Sequence, residues 1–422
     1  MADFQRGLQW IYRPHRLSSQ PNIQVADRQI QREQNLYKER GETMHVSKRI
    51  LVPCRIVRSV LAGCIVFLGC GSRTFDDFAS NDATNHDSQT PIAIVDAHVP
   101  DPGVKPQGLD ILFVIDNSPS MLLEQENIIK NMHRLFDANQ LVSVLPDLRI
   151  GVIGPDLGAG NYGLQSCEVA GGDGGRLQNA PRTPGCIPPK DSWISYQDGV
   201  TNIPSNTLDP IQQVFEAFSC IAPLGADGCG FEHTLEAARR GLDPQRGINK
   251  GFIRPEAALL IVFVTDEDDC SASKPTLFDP NNESLGPPTS FRCFDYGVHC
   301  DINDRTKIGP RKDCKPLMSK YLTPVEEYIN FFKGLKPAGW IILSAMAGPT
   351  DLIEVGASDG EPKLEHSCKT ADGGGDPAIR LRAVVEAFKD NGFFNPGNVD
   401  ICSADFGPAL AVIGKRLWEI LP

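Results

Sequence analysis

The chain is expected to fold as an α/β protein, a doubly wound and mostly parallel sheet with long disulfide-braced loop insertions. Three observations lead there. Two continuous apolar runs, Ile111 to Ile115 and Leu259 to Val264, suit strands covered on both faces. Amphipathic helical patterns lie between and after these runs, which is the alternation of a wound sheet. Ten cysteines follow residue 160, and they recur in the long stretches that interrupt the pattern.

After the first strand, Leu122, Ile128, Ile129, Met132, Leu135 and Phe136 recur at helical spacing within a helix expected over Ser120 to Phe136. Glu124, Glu126, Lys130 and Arg134 are left for solvent. Leu148 to Ile153 is a second, weaker strand, and Trp340 to Leu343 a fourth. Helices are expected at Pro210 to Phe218, Glu232 to Arg240, Pro324 to Phe332 and Ile379 to Phe388. A final docked helix carries Phe406, Leu410, Ile413, Leu417 and Ile420 on one stripe. Residues 156–208, 270–320 and 347–375 read as loops, tolerable at that length where cross-links lower the entropy of the unfolded chain.

A chain of 422 residues with 41% hydrophobic and 22% charged side chains is neither a polytopic membrane protein nor wholly disordered. Its net charge of -12 is unevenly spread: residues 1–69 hold 11 Lys or Arg against 5 Asp or Glu, leaving 30 against 48 in the remainder. A surface of that sign repels phosphate backbones, so no nucleic-acid partner is expected.

Residues 1–43 are polar and rich in Gln and Arg; they read as a start-site miscall or a disordered stretch, with Met44 the initiator. Residues 44–69 carry Lys48, Arg49, Arg55 and Arg58 ahead of an apolar stretch too short for a stable membrane anchor, as in a signal peptide. Its end, Leu68-Gly69-Cys70, resembles the lipobox of a bacterial lipoprotein, which makes Cys70 the lipidated residue. Leu61-Ala62-Gly63-Cys64 is the alternative, and an uncleaved N-terminal anchor a second one. Residues 70–107 form an acidic, disordered tether, and 108–422 the folded domain. The expected location is the cell envelope, as an outer-membrane lipoprotein held by its N-terminal lipid, because Gly71 and Ser72 lack the Asp that resembles an inner-membrane retention signal.

Export turns the remaining cysteines into candidate bridges. Cys167, Cys186, Cys220, Cys229, Cys270, Cys293, Cys300, Cys314, Cys368 and Cys402 allow five disulfides whose pairing spacing cannot decide. No Cys-x-x-Cys pair occurs and the chain has only 8 histidines, which argues against a zinc site.

The chemistry concentrates where strands end. Asp116-Asn117-Ser118-Pro119-Ser120 follows the first strand and turns one carboxylate and two hydroxyls toward one point, a donor set for a hard divalent cation. Thr265-Asp266-Glu267-Asp268-Asp269 ends the other strong strand. If the two strands are neighbours, Asp266 reaches the same crevice, and two carboxylates there repel unless a cation lies between them.

Asp116-x-Ser118-x-Ser120 with the later Asp266 resembles the metal-ion-dependent adhesion site of von Willebrand factor type A domains. Thr265 to Ser271 and Gly228-Cys229-Gly230-Phe231-Glu232 are similar to the cysteine-rich, secreted or lipoprotein A domains of myxobacteria and related bacteria. The resemblance implies a Rossmann-like fold from Leu109 to about Leu421 and a Mg2+ or Ca2+ ion held by Asp116, Ser118, Ser120 and Asp266. It also implies a partner protein whose Asp or Glu completes the coordination shell. The family's middle-loop Thr is missing: aligning helix starts puts Cys229 near its place, and Thr234 inside the helix. Asp227 or Glu232 can substitute as an oxygen ligand, or act as a cap. Asp156 can rim the site or hold a turn. Two of Glu267, Asp268 and Asp269 are expected to face solvent, His233 to be an exposed helix residue, and Trp193 and Tyr196 to pack within their loop.

The function expected is a binding module rather than an enzyme. A metal-independent structural or interaction domain is the first alternative. A Mg2+-dependent phosphoester hydrolase is the second, although haloacid-dehalogenase-type phosphatases need an Asp where this chain has Ser118. No Gly-x-Ser-x-Gly, Walker lysine or His-Glu-x-x-His motif is present.

Overall fold

The computed structural model describes residues 104–136, 145–205, 209–370, 373–389 and 398–422. The expected signal peptide, Cys64, Cys70 and nearly all of the tether lie outside the described residues. The central sheet has seven strands: β1 (Leu109–Ile115), β2 (Leu148–Ile153), β3 (Ile194–Gln197), β4 (Val200–Thr201), β5 (Ala258–Val264), β6 (Ile341–Ala347) and β7 (Asn398–Asp400). Their spatial order is β7-β6-β5-β1-β2-β3-β4, parallel except where β2 meets β3 and β3 meets β4. The strand order reverses at β1, which pairs with β2 on one side and β5 on the other. Such a reversal opens a crevice beyond the C-terminal strand ends.

Among the described residues, seven helices accompany the sheet: α1 (Leu122–Asn131), α2 (Pro210–Ile221), α3 (Thr234–Leu242), α4 (Phe291–Gly297), α5 (Val325–Lys333), α6 (Ile379–Glu386) and α7 (Gly407–Ile420). Alternation along β1 divides the core. Ile111, Phe113 and Ile115 pack with Ile128 of α1, Val214 and Phe218 of α2, and Ile413 and Leu417 of α7. Leu112 and Val114 face the opposite layer, with Leu235 of α3, Tyr328 and Phe332 of α5, and Leu381 of α6. Burying each such side chain contributes about 1.5–3 kcal/mol, so an unpaired charge at one of these positions would unseat the layer it faces. The expected stripe on the last helix is buried at all five positions, Phe406 capping the N-terminus of α7.

Several boundaries differ from expectation. The helix after β1 starts at Leu122, leaves that side chain half exposed, and tightens into a 3-10 turn at Met132–Leu135. Helix α3 starts at Thr234, not Glu232, because the backbone just before it is committed elsewhere: the Glu232 carbonyl accepts from Cys270 N and His233 N donates to Pro155 O. The stretches read as loops contain strands. β3 and β4 form a hairpin turning at Asp198-Gly199, with φ of +49° and +80°. Ile353–Ser358 and Glu361–Leu364 form another at Asp359-Gly360, with φ of +52° and +85°, and Gly309–Arg311 pairs along the other edge. An Asp-Gly pair with both residues at positive φ is the two-residue turn that matches strand twist. Tyr196 is buried in β3 and Trp193 packs on Phe252 beneath the Arg149 guanidinium, which is ordinary loop packing as expected.

All ten cysteines beyond residue 160 are bridged: Cys167–Cys229, Cys186–Cys220, Cys270–Cys293, Cys300–Cys314 and Cys368–Cys402. Sequence separations run from 14 to 62. Loops of those sizes correspond to about 3–4 kcal/mol of unfolded-state constraint each in the chain-entropy treatment. Five disulfides belong to an oxidising environment, extracellular or periplasmic. Among the described residues, no helix is long and apolar enough to cross a membrane.

Candidate functional site

Parallel pairing of β1 with β5 runs in register to Ile115 opposite Val264, so both chains leave the sheet side by side. Asp116 N still donates to Val264 O, and the Thr265 hydroxyl donates to Asp116 Oδ2 at 2.7 Å. Ser118 N closes a tight turn onto Asp116 Oδ1 at 2.7 Å. Gln125 of α1 fixes the same turn from below, donating to Asp116 O and to Gly225 O at 2.8 Å each. Asp116 and Ser118 are buried, whereas Ser120 is exposed and marks where the crevice opens.

The four residues expected to hold a cation gather where the two strands end. The Ser118 and Ser120 hydroxyls lie 3.2 Å apart, and they lower the carboxyl pKa values of Asp116 and Asp266 respectively. Asp266 is 6% exposed, and its Oδ1 has no donor. Burial, followed by the charge of Asp116, pushes its carboxyl up to about 7. Asp116 is also raised by burial, against the opposing bonds from Ser118 and Thr265. A buried carboxylate oxygen without a donor costs several kcal/mol unless it is protonated or meets a cation. The carboxylates and hydroxyls present therefore fit a hard divalent ion.

Glu232 is the secondary candidate whose carboxyl feels the charges of Asp116 and Asp266. Because α3 starts late, the loop before it delivers Glu232 toward these two rather than Cys229, whose sulfur is bonded to Cys167. Glu232 is fully buried, with neither carboxylate oxygen receiving a hydrogen bond. Its carboxyl stands well above the usual range through burial and the charges of Glu267 and Asp116. Asp227 is exposed on the loop beside it. Asp156 holds a turn, accepting from Gly158 N at 2.8 Å. Thr234 is the first residue of α3, its buried hydroxyl without a partner.

Two expectations about neighbouring groups are overturned. His233 is buried at the N-terminus of α3, where Nε2 meets Gly158 O at 3.1 Å and burial drives its pKa down to about 4. Of the acidic run, Asp269 is fully buried, and Glu267 and Asp268 are half-buried rather than solvent-facing. Asp268 accepts from Arg380 N and Leu381 N, capping α6; Asp269 accepts from Leu235 N in α3 and pairs with buried Arg380. Helix N-termini attract these carboxylates because their first amides lack intrahelical acceptors.

Sequence reading missed Thr265 as a donor to Asp116 and missed Asp376 entirely. Asp376 N donates to Asp266 O at 2.7 Å, its charge weighs on Glu267, and its Oδ1 lies 2.7 Å from His366 Nδ1, which raises that histidine's pKa. Thr265 adjoins a residue singled out from the sequence and could have been read with it; Asp376 follows an insertion with no strand signal. Loop and strand end also approach closely at Gly228, whose N donates to Asn117 O and where an added Cβ would lie 2.3 Å from Asn117 Oδ1.

Elsewhere among the described residues, Cys368, Asp400 and Cys402 bring three potential ligand atoms within 4.8 Å and can form a metal-holding group. The two sulfurs are bonded to each other, so they would serve as thiolate ligands only after reduction.

No family model matches the chain, and no curated protein matches it. Among solved structures, it is similar to the conserved hypothetical protein BatB from Bacteroides thetaiotaomicron, at 13% identity and a TM-score of 0.27, over 74% of this chain and 98% of that one. An overlap that low decides nothing about function.

Proposed function

We propose that this chain is an exported, lipid-tethered binding module of the von Willebrand factor A kind, using Asp116, Ser118, Ser120 and Asp266 to hold Mg2+ or Ca2+ and to grasp an acidic side chain of a partner protein. The observation that carries the reading is the donorless Oδ1 of buried Asp266, at the strand end beside that of Asp116. When bound, the ion supplies a coordination position that a partner's Asp or Glu can fill. The chain's own residues set the rest. Ser118 N and Thr265 hold the Asp116 carboxylate, Gln125 ties its backbone to the Gly225 loop, and exposed Ser120 leaves one side of the crevice open. Disulfide-braced insertions give the surroundings a fixed shape for partner selection. Cys70, with Cys64 as alternative, would tether the module to the outer membrane.

Titration calorimetry of the purified protein with Mg2+ and Ca2+, beside Asp116→Ala, tests the reading. Binding heat lost in the variant is expected; absence of heat for both ions in the unaltered protein ends it. A metal-independent interaction role has one observation in its favour: both oxygens of Asp116 already accept hydrogen bonds from the protein. Catalysis is not part of the proposal.

A further inference from the structure

We propose that the crevice is built for two cations, the second held between Glu232 and Glu267. The inference deepens the function proposed above and rests on it only for the first ion. The Glu232 side chain meets neither solvent nor a donor: it is buried and both carboxylate oxygens lack a hydrogen bond. The Glu232 carbonyl accepts from Cys270 N at 2.8 Å, which sets this residue against the acidic turn, and the charge that weighs most on its carboxyl is that of Glu267. Two carboxylates in a buried place repel each other unless a cation lies between them.

Charge count and spacing both favour a second ion over a single shared one. Fully ionised, Asp116, Asp266, Glu232 and Glu267 would carry four negative charges, with Asp376 and Glu124 adding to the field on Asp266. One divalent ion would leave half of those four uncompensated in a buried place, and an incoming acidic partner would add to it. Two ions would offset all four. Ligand oxygens around one Ca2+ lie at most about 5 Å apart across its shell. No three acidic side chains of this crevice bring oxygens within 4.8 Å of one another among the described residues. The carboxylates group as Asp116 with Asp266 at neighbouring strand ends, and Glu232 with Glu267, whose charge acts most on it. Asp266 Oδ1, independently donorless, lies on the first pair, so each pair contains an unpartnered buried oxygen.

Equilibrium dialysis of the full chain against millimolar Ca2+ and, separately, Mg2+, with bound metal counted by atomic emission, tests this. Two ions per chain are expected, falling to one in Glu232→Gln and to one in Asp116→Asn. A single ion kept in Glu232→Gln but lost in Asp116→Asn overturns the second site and leaves the first. A single ion with the reverse pattern supports the Glu232 site and sinks the adhesion-type site. One ion lost in both variants overturns the two-ion arrangement, and none overturns both readings.

Discussion

Asp268 and Asp269 end their charges on the amides of two helices and on Arg380, whereas Asp266 and Glu267, on the same turn, find almost no donors. The four side chains are nearly identical chemically and consecutive in the chain. What separates them is what the fold brings opposite: the N-termini of α3 and α6 on one side, further carboxylates on the other. The first half of the turn is thus a ligand surface and the second half a clamp. An acidic run by itself says nothing about which is which.

The difference breaks most sharply at Asp269. Asp269→Ala removes the acceptor for Leu235 N and for the Ser271 hydroxyl and leaves Arg380 buried without its partner, which should cost about 3–5 kcal/mol by chemical denaturation. Next in size is a pH effect. A carboxyl whose folded pKa is raised favours the folded state when protonated. Its stabilisation is complete below the ordinary value of 3.8 and is lost as pH rises through about 6 for Asp268 and about 7 for Asp266. Metal-free stability should therefore fall by a few kcal/mol between pH 4 and pH 8, at about 1.4 kcal/mol for each tenfold difference in proton affinity between the folded and unfolded chain. Millimolar Ca2+ should flatten the upper part of the fall. Melting temperatures across that range check both. Asp268→Ala, which loses the acceptor for two α6 amides, should cost about 1–2 kcal/mol with or without metal. Smallest is Asp266→Asn, expected within about 0.5 kcal/mol of the parent or more stable without metal, yet blind to added Ca2+ in the same melting assay. Loss of stability there comparable to Asp269→Ala would erase the distinction between the halves.

Much of this is legible in the sequence. β1 from Ile111 onward and β5 are apolar because both faces are covered, so no alternation obscures them, and each is followed at once by its acidic or hydroxyl residues. That is why Asp116, Ser118, Ser120 and Asp266 can be named. Glu232 is harder, because the start of α3 is set by bonds to Pro155 and Cys270 that lie far away in sequence. The fates of Asp268 and Asp269 depend on amides over a hundred residues on or on a helix from another layer. Asp376 has no local pattern at all. The hairpins at Asp198-Gly199 and Asp359-Gly360 are written in their turn residues, yet read as loop while the strands flanking them stay short.

The in-register pairing that sets Ile115 against Val264 also fixes which atom meets Asp116 beyond the sheet. It is the alcohol of Thr265, a donor, and not the acid one position further along. A single-residue deletion within β5 would slide that acid into the alcohol's place, set two anions head to head, and turn the side chains between the deletion and the strand end to the opposite layer. The adhesion-type geometry therefore tolerates change in its loops far better than any change of length in the strand that feeds it.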